Sequence, residues 1–339
     1  MSTTPAAAAP SSLPLTLSKT EALYQKDGTL TTHTTTLTSL LPLASYPAKT
    51  QALFKPIPPT TTSEDPNAES QEKEREGLIL TALSTIFHAQ GGGQPSDTGV
   101  ITTTTVQGTK DKNDAVAESE LIVHQVRKLP STSTILHLVS PSSSPSSSAP
   151  LTTTPIPTTI TQTIDAQKRL LHSRLHTAGH VLGLAIHLLS RPQSPSSSAD
   201  PPVLPIDLKD GKASHYPSAA FVECFGTNGG VITGDKKSVI QAKVDELVKS
   251  DLEVRIAWLG REDAETECIG GIEAVNLGGG EGGGGEDEEE EGVRVVHIGG
   301  LGCYACGGTH VKRLAELGRV VVRSIKRQKG VSKVGYDVV

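Results

Sequence analysis

The sequence predicts an α+β chain, and three observations predict it. Short strand-like segments with turn-rich joints run to about residue 158. The apolar period then changes to that of one long helix starting near Ile164. Strand and amphipathic-helix patterns alternate from there to residue 339. The first part reads as a small β-barrel and the second as a central helix packed on a β-sheet. Two domains are therefore expected, 15–158 with a Gly-rich motif and 160–339, and 339 residues is long enough for both.

Threonine-rich or alternating segments at 29–37, 99–107, 121–126 and 134–139 read as strands, whereas 74–86 reads as a short helix. Leu171, Leu175, Ala178, Leu182, Ala185 and Leu189 then follow a 4-3-4-3-4 spacing. Leu170, Val181, Leu184 and Leu188 fill the other side, so this helix is expected to be buried between two layers. Segments 219–225, 253–258, 293–298 and 319–325 read as strands, and 236–250 as an amphipathic helix. Three low-complexity stretches interrupt the pattern: Ser/Pro-rich 140–150 and 190–202, and Gly-rich then acidic 278–292. Such compositions bury too little apolar surface to offset their ordering entropy, so solvated insertions are expected.

Apolar residues make up 35% and aromatics 3%, so the cores must be built from Val, Ile, Leu and Ala. The net charge of −6 argues against a nucleic-acid binder. However, residues 286–291 are six consecutive acids, and without them the chain is neutral. Four cysteines are too few for a disulfide scaffold of this length. No secretory segment and no apolar run of 18 residues occurs, so a reducing, cytoplasmic setting without a membrane is expected. In that setting Cys and His clusters read as metal ligands.

His176 and His180 are four residues apart on the apolar helix, so both rings leave one face about a turn apart. Far downstream, CYACGGTH occupies 303–310, and two glycines between Cys306 and His310 permit a tight turn. Each half alone is a weak signal, but together His176, His180, Cys306 and His310 suit tetrahedral Zn²⁺. Cys303 remains open between a ligand, a thiol behind the ligands and a packed side chain. His172, on the same helix, reads as a surface or interface histidine. Four protein ligands ordinarily make a closed structural site, which leaves open how such a zinc would take part in chemistry.

These residues resemble a known family. HxxxH followed by CGGTH is similar to the AlaX family of alanyl-tRNA trans-editing proteins, whose module is shared with alanyl- and threonyl-tRNA synthetases. RLHTAGH at 174–180, KASHYPSAAFVE at 212–223, FHAQGGGQPSDTG at 87–99 and SIKRQKG at 324–330 extend the resemblance to roughly 15–339, apart from the three insertions. It implies a translation-factor-like β-barrel followed by an editing domain, with His176, His180, Cys306 and His310 holding Zn²⁺. It implies an ATP-independent hydrolase that removes serine, and in some cases glycine, from mischarged tRNA(Ala). Ser-tRNA(Thr) hydrolysis is the variant within the class, and a non-catalytic zinc-containing RNA-binding module is the alternative outside it. The zinc would activate water, polarise the ester carbonyl or hold the substrate amino group; no separate catalytic base is assigned.

Gly91, Gly92, Gly93 and Gln94 read as a flexible turn or as bare backbone that approaches a ligand closely. The resemblance implies that this loop reaches the zinc pocket and separates seryl from alanyl esters. Substitution at Gly92 or Gln94 is then expected to alter that preference more than zinc content. Lys312, Arg313, Arg319, Arg323, Lys326, Arg327, Lys329 and Lys333 form a late basic cluster opposed only by Glu316. Of these, Lys312, Arg323, Lys326, Arg327 and Lys329 are the expected tRNA-backbone contacts. Oligomeric state has no signature in the sequence.

Overall fold

The computed structural model describes residues 17–57, 77–107, 115–142, 158–191, 202–272 and 292–339, without the side chains of 104–107 and 115–117. The three low-complexity stretches lie outside these residues except at their ends, and the expectation that they are solvated insertions lies there with them.

The chain opens with β1 (Glu21–Ala22), α1 (Leu23–Lys26), β2 (Thr32–Pro42) and α2 (Ala48–Gln51). β3 (Leu78–Ala82), β4 (Ser84–Thr85), β5 (Gly99–Gln107), β6 (Ala115–Lys128), β7 (Ile135–Pro141) and β8 (Thr158–Ile164) follow. Six of these strands close a barrel in the order β2-β3-β7-β6-β5-β8, antiparallel at every seam. Closure removes the exposed edges that threonine-rich strands would otherwise present. Leu37, Leu80, Ile101, Leu121, Val123 and Ile160 fill the interior. The helix expected at 74–86 is not formed. Its described part, from Gly77 on, is β3 and β4, because that apolar run pairs with β2 and β7 to complete the barrel. A short buried run does not announce its own period, and the tertiary pairing decides it.

β8 leads into α3 (Ala166–Leu189), which is capped by the Asp165 carboxylate accepting from the Lys168 amide at 3.1 Å. Then come β9 (Leu208–Ser214), β10 (Phe221–Gly226), α4 (Lys237–Lys249), β11 (Val254–Leu259) and α5 (Arg261–Glu267). The last elements are β12 (Val293–Ile298), β13 (Gly302–Ala305), β14 (Val320–Gln328) and β15 (Val331–Val338). They form a four-stranded antiparallel sheet, β14-β15-β10-β9, and a three-stranded one, β11-β12-β13. α3 supplies Leu175, Ala178, Leu182 and Ala185 to one core shared with Tyr336 and Val334 of the first sheet and Val296 and Tyr304 of the second. It is thus buried between layers, as its two-sided apolarity predicts, although Leu170 is exposed at its first turns. His172 is buried rather than on the surface.

The barrel and α3 are joined by a buried ion pair. The Arg169 guanidinium meets the Asp97 carboxylate and also donates to the Gly28 carbonyl at 2.7 Å and the Ile86 carbonyl at 2.6 Å. Asp97 in turn accepts from the His88 amide at 2.6 Å. This junction sets the Gly-rich turn 91–94 beside the middle of α3.

Candidate metal centre

α3 places the His176 and His180 rings on one face, stacked at 5.0 Å between centroids. The segment after β13 doubles back across Gly307 and Gly308 and brings Cys306 and His310 to the same face. The Cys306 Sγ lies 3.3 Å from His176 Nε2 and 3.4 Å from His310 Nε2. One ligand atom from each of His176, His180, Cys306 and His310 lies within 4.8 Å of the other three. The four residues are therefore a candidate metal-binding group compatible with zinc.

Three observations test the fit. First, His180 Nε2 is buried without a hydrogen-bond partner, an arrangement that costs stability unless something accepts that nitrogen. Second, burial pushes His176 and His310 well below the usual imidazole range and His180 down to about 4, so all three are neutral and can ligate. Third, burial pushes the Cys306 thiol up, against the Arg294 charge and the Gly308 amide, which lower it. A divalent cation reverses that effect, because it binds the thiolate.

The far sides of the rings are held as metal ligands usually are. The Thr309 amide donates to Gln94 Oε1 at 3.0 Å, which fixes that atom as the amide oxygen. His176 Nδ1, 2.7 Å from the same oxygen, must then carry the proton, leaving the Nε2 lone pair facing Cys306. Gln94 Nε2 donates to Thr309 Oγ1 at 2.8 Å, and Ser173 Oγ lies 2.7 Å from that hydroxyl. Behind His310, Nδ1 lies 3.1 Å from the Thr177 hydroxyl, which accepts from the Val311 amide at 3.3 Å. Arg294 donates to the Cys306 carbonyl and, at 2.9 Å, to the Gln25 carbonyl, clamping the turn from below.

Gly91 and Gln94 bridge to each other, so 91–94 is a tight turn, and its Gly93 carbonyl accepts from the His215 amide at 2.9 Å. Sequence reasoning passed over His215. Its ring stacks on His176 at 4.2 Å, and its Nδ1 lies 2.6 Å from Tyr336 Oη, which itself donates to the Leu175 carbonyl at 2.8 Å. The Tyr336 oxygen must therefore accept from His215 Nδ1. Burial pushes His215 down to about 3, so it is neutral. Its sequence signal is its place in the segment KASHYPSAAFVE, one residue past the end of β9.

Cys303 stands outside the four-donor group. It packs with Cys268, Ala264 and Val295 on the other side of the three-stranded sheet. The basic residues do not converge on one point. Arg323 donates to the Ser218 carbonyl at 3.1 Å and lies 3.5 Å from Asp337. With Lys326, Lys333, Ser214, Tyr216 and Phe221, it lines a cleft of about 650 Å³. Arg327 and Lys329 are exposed at the β14–β15 turn beyond the cleft lining, and Lys312 is exposed after the metal turn. Arg313 is held by Asp251 at 2.8 Å. Ser214 and Tyr216, the chain neighbours of His215, line the cleft, whereas the His215 ring itself is buried.

Residues 293–334 match the family model described as the threonyl and alanyl tRNA synthetase second additional domain. That span contains β12, β13, the Cys306–His310 turn and β14. The chain is 24% identical over 261 residues to an alanine–tRNA ligase of Haloquadratum walsbyi, covering 77% of this chain and 22% of that protein. It is 27% identical over 263 residues to that of Methanothermobacter thermautotrophicus (77% and 23%) and 26% over 294 residues to that of Thermococcus kodakarensis (83% and 26%). The chain thus spans about a quarter of the length of these curated relatives. No helix among the described residues is long and apolar enough to cross a membrane. Residues 293–334 are thus similar to the second additional domain of threonyl and alanyl tRNA synthetases, and the chain is similar over most of its length to part of the alanine–tRNA ligases.

Proposed function

We propose that this chain is a trans-editing aminoacyl-tRNA deacylase that hydrolyses Ser-tRNA(Ala), with Gly-tRNA(Ala) as a second substrate, in the cytoplasm. The observation that carries the reading is the union of the two motifs. In a chain similar to alanine–tRNA ligases, they meet in one buried four-donor group with the Gly-rich turn set against it. His176, His180, Cys306 and His310 would hold Zn²⁺, which supplies Lewis-acid polarisation at the ester. The chain's own residues prepare that site: Gln94 fixes the His176 proton on Nδ1, Thr177 backs His310, and Arg294 anchors the Cys306 turn. His215 is too weakly basic at about 3 to serve as a general base near neutral pH, so none is assigned.

In this reading residues 15–158 form a translation-factor-like barrel domain and 160–339 the editing domain, with β8 as the joint. Gly91, Gly92, Gly93 and Gln94 select the substrate amino acid. Lys312, Arg323, Lys326, Arg327 and Lys329 would hold the tRNA backbone, with Arg323 and Lys326 lining the cleft. Lys326→Glu with Arg327→Glu is expected to weaken tRNA binding by about tenfold or more at low salt and to flatten its salt dependence. Unchanged binding would remove the basic strand from the proposal.

A second reading has support of its own. The matched family model covers threonyl as well as alanyl synthetases, which favours Ser-tRNA(Thr) as a rival substrate. Pre-charged Ser-tRNA(Ala) and Ser-tRNA(Thr), each mixed with the isolated chain, separate the two and test action in trans. A four-donor protein set also matches a closed structural zinc, so a non-catalytic RNA-binding module is the outcome if zinc-loaded protein hydrolyses neither.

A further inference from the structure

A second group of metal-ligating side chains lies on the opposite side of the three-stranded sheet. His297 of β12 and Cys303 of β13 are direct cross-strand partners, so both side chains leave the same face. α5 covers that face: Ala264 and Cys268 pack on Val295 and Cys303. The helix ends at Glu267, and the next residues are pinned to β13 by the Ile269 amide, which donates to the Cys303 carbonyl at 2.8 Å. As a result the donor atoms of Glu267, His297 and Cys303 lie within 4.8 Å of one another. Cys268 Sγ is 3.3 Å from Cys303 Sγ.

We propose that Glu267, Cys268, His297 and Cys303 form a second binding site for a thiophilic divalent cation, Zn²⁺ by its donor set. The proposal does not depend on the deacylase reading. His297 Nε2 is buried and, among the described residues, has no hydrogen-bond partner, which leaves a ligand-competent nitrogen on the residue grouped with Glu267 and Cys303. Two sulfurs, one imidazole nitrogen and one carboxylate oxygen favour Zn²⁺ over Mg²⁺ or Ca²⁺, which take all-oxygen sets. Metal–ligand bonds of about 2.0–2.3 Å place neighbouring donors about 3.3–3.8 Å apart, so modest rotations close the Glu267, His297 and Cys303 group, and Cys268 joins it by swinging its sulfur in from beside Cys303. Binding displaces the thiol protons of Cys268 and Cys303 to solvent. The charges then balance: two thiolates and one carboxylate face the cation and the guanidinium of Arg255, which stands opposite His297 in the sheet. Such a site would fasten α5 to the sheet whose other face backs the first metal group.

The full chain, stripped and reloaded with Zn²⁺, is expected to hold two equivalents. Cys303→Ser and Cys268→Ser should each hold one, and Cys306→Ser should keep the one bound at the new site. Glu267 is exposed, so Glu267→Gln leaves the fold intact and is expected to weaken the second equivalent about tenfold or more. Loaded with Co²⁺, Cys306→Ser should retain a thiolate charge-transfer band that Cys303→Ser with Cys306→Ser lacks. In the wild type, Zn²⁺ should shield Cys268 and Cys303 from a thiol reagent. A single equivalent in the wild type, a band lost with Cys306 alone, thiols equally reactive with and without Zn²⁺, or a Cys268–Cys303 disulfide in the metal-loaded protein would each overturn the site.

Discussion

A methyl group at position 308 would fall inside the His176 imidazole and 2.7 Å from Gln94 Oε1. Both neighbours are buried and held by hydrogen bonds, so neither can yield cheaply. Gly308→Ala should therefore displace His176 from Cys306 and lower zinc affinity at least tenfold, measured by competition with a chromophoric chelator. Gly92 differs. Its added Cβ would sit 3.8 Å from His176 Cε1, an ordinary contact, and the cost is its φ of +54°. Gly92→Ala is thus the cleaner probe of Ser/Ala selectivity, with zinc retained. Gln94→Ala is not, because it also frees His176 Nδ1. Some of this was legible in the sequence, since HxxxH and CGGTH carry their own geometry. The partners that orient the rings were not legible. Thr177 and Thr309 sit inside the motifs but look like spacers, Arg294 reaches the site through the pairing of β12, and His215 through the hydrogen bond of its amide to the Gly93 carbonyl.

At the scale of elements, the junction between barrel and α3 rests on Arg169 and Asp97, both under 5% exposed. Asp97→Asn would leave a buried guanidinium without its counter-charge, which costs about 3–5 kcal/mol. Urea unfolding should show that loss, and a change under about 1 kcal/mol would mean the pair is not what joins the two parts. Elements with a sustained period were legible: α3, α4, β5 and β12 fall within a residue or two of their expected bounds. β9 was not, because LKDGKAS is a largely exposed edge strand without an apolar face. β13 and α5 are too short to show a period, and β3 is an apolar run whose partners, not its sequence, make it a strand.

The whole molecule buries several neutral histidines, and this gives stability a pH dependence. Burial pushes His88 and His137 in the barrel down to about 4, against about 6.5 in an unfolded chain. Between those values the unfolded state binds the extra protons, so stability is full above about pH 6.5 and falls as pH drops towards 4. Each histidine contributes about 1.4 kcal/mol per pH unit in that window. Urea midpoints at pH 7 and pH 5 should show the fall, and His137→Gln should flatten it by one histidine's share. In the proposed reading two distant motifs make one zinc centre that hydrolyses an aminoacyl-tRNA ester. Its most direct test is zinc per chain at the first group together with deacylation of Ser-tRNA(Ala), for wild type and His180→Ala. The wild type is expected to hold that zinc and to hydrolyse the ester, and the variant to lose both. A zinc-loaded wild type without hydrolysis, or a variant that keeps its zinc and its rate, would contradict that reading.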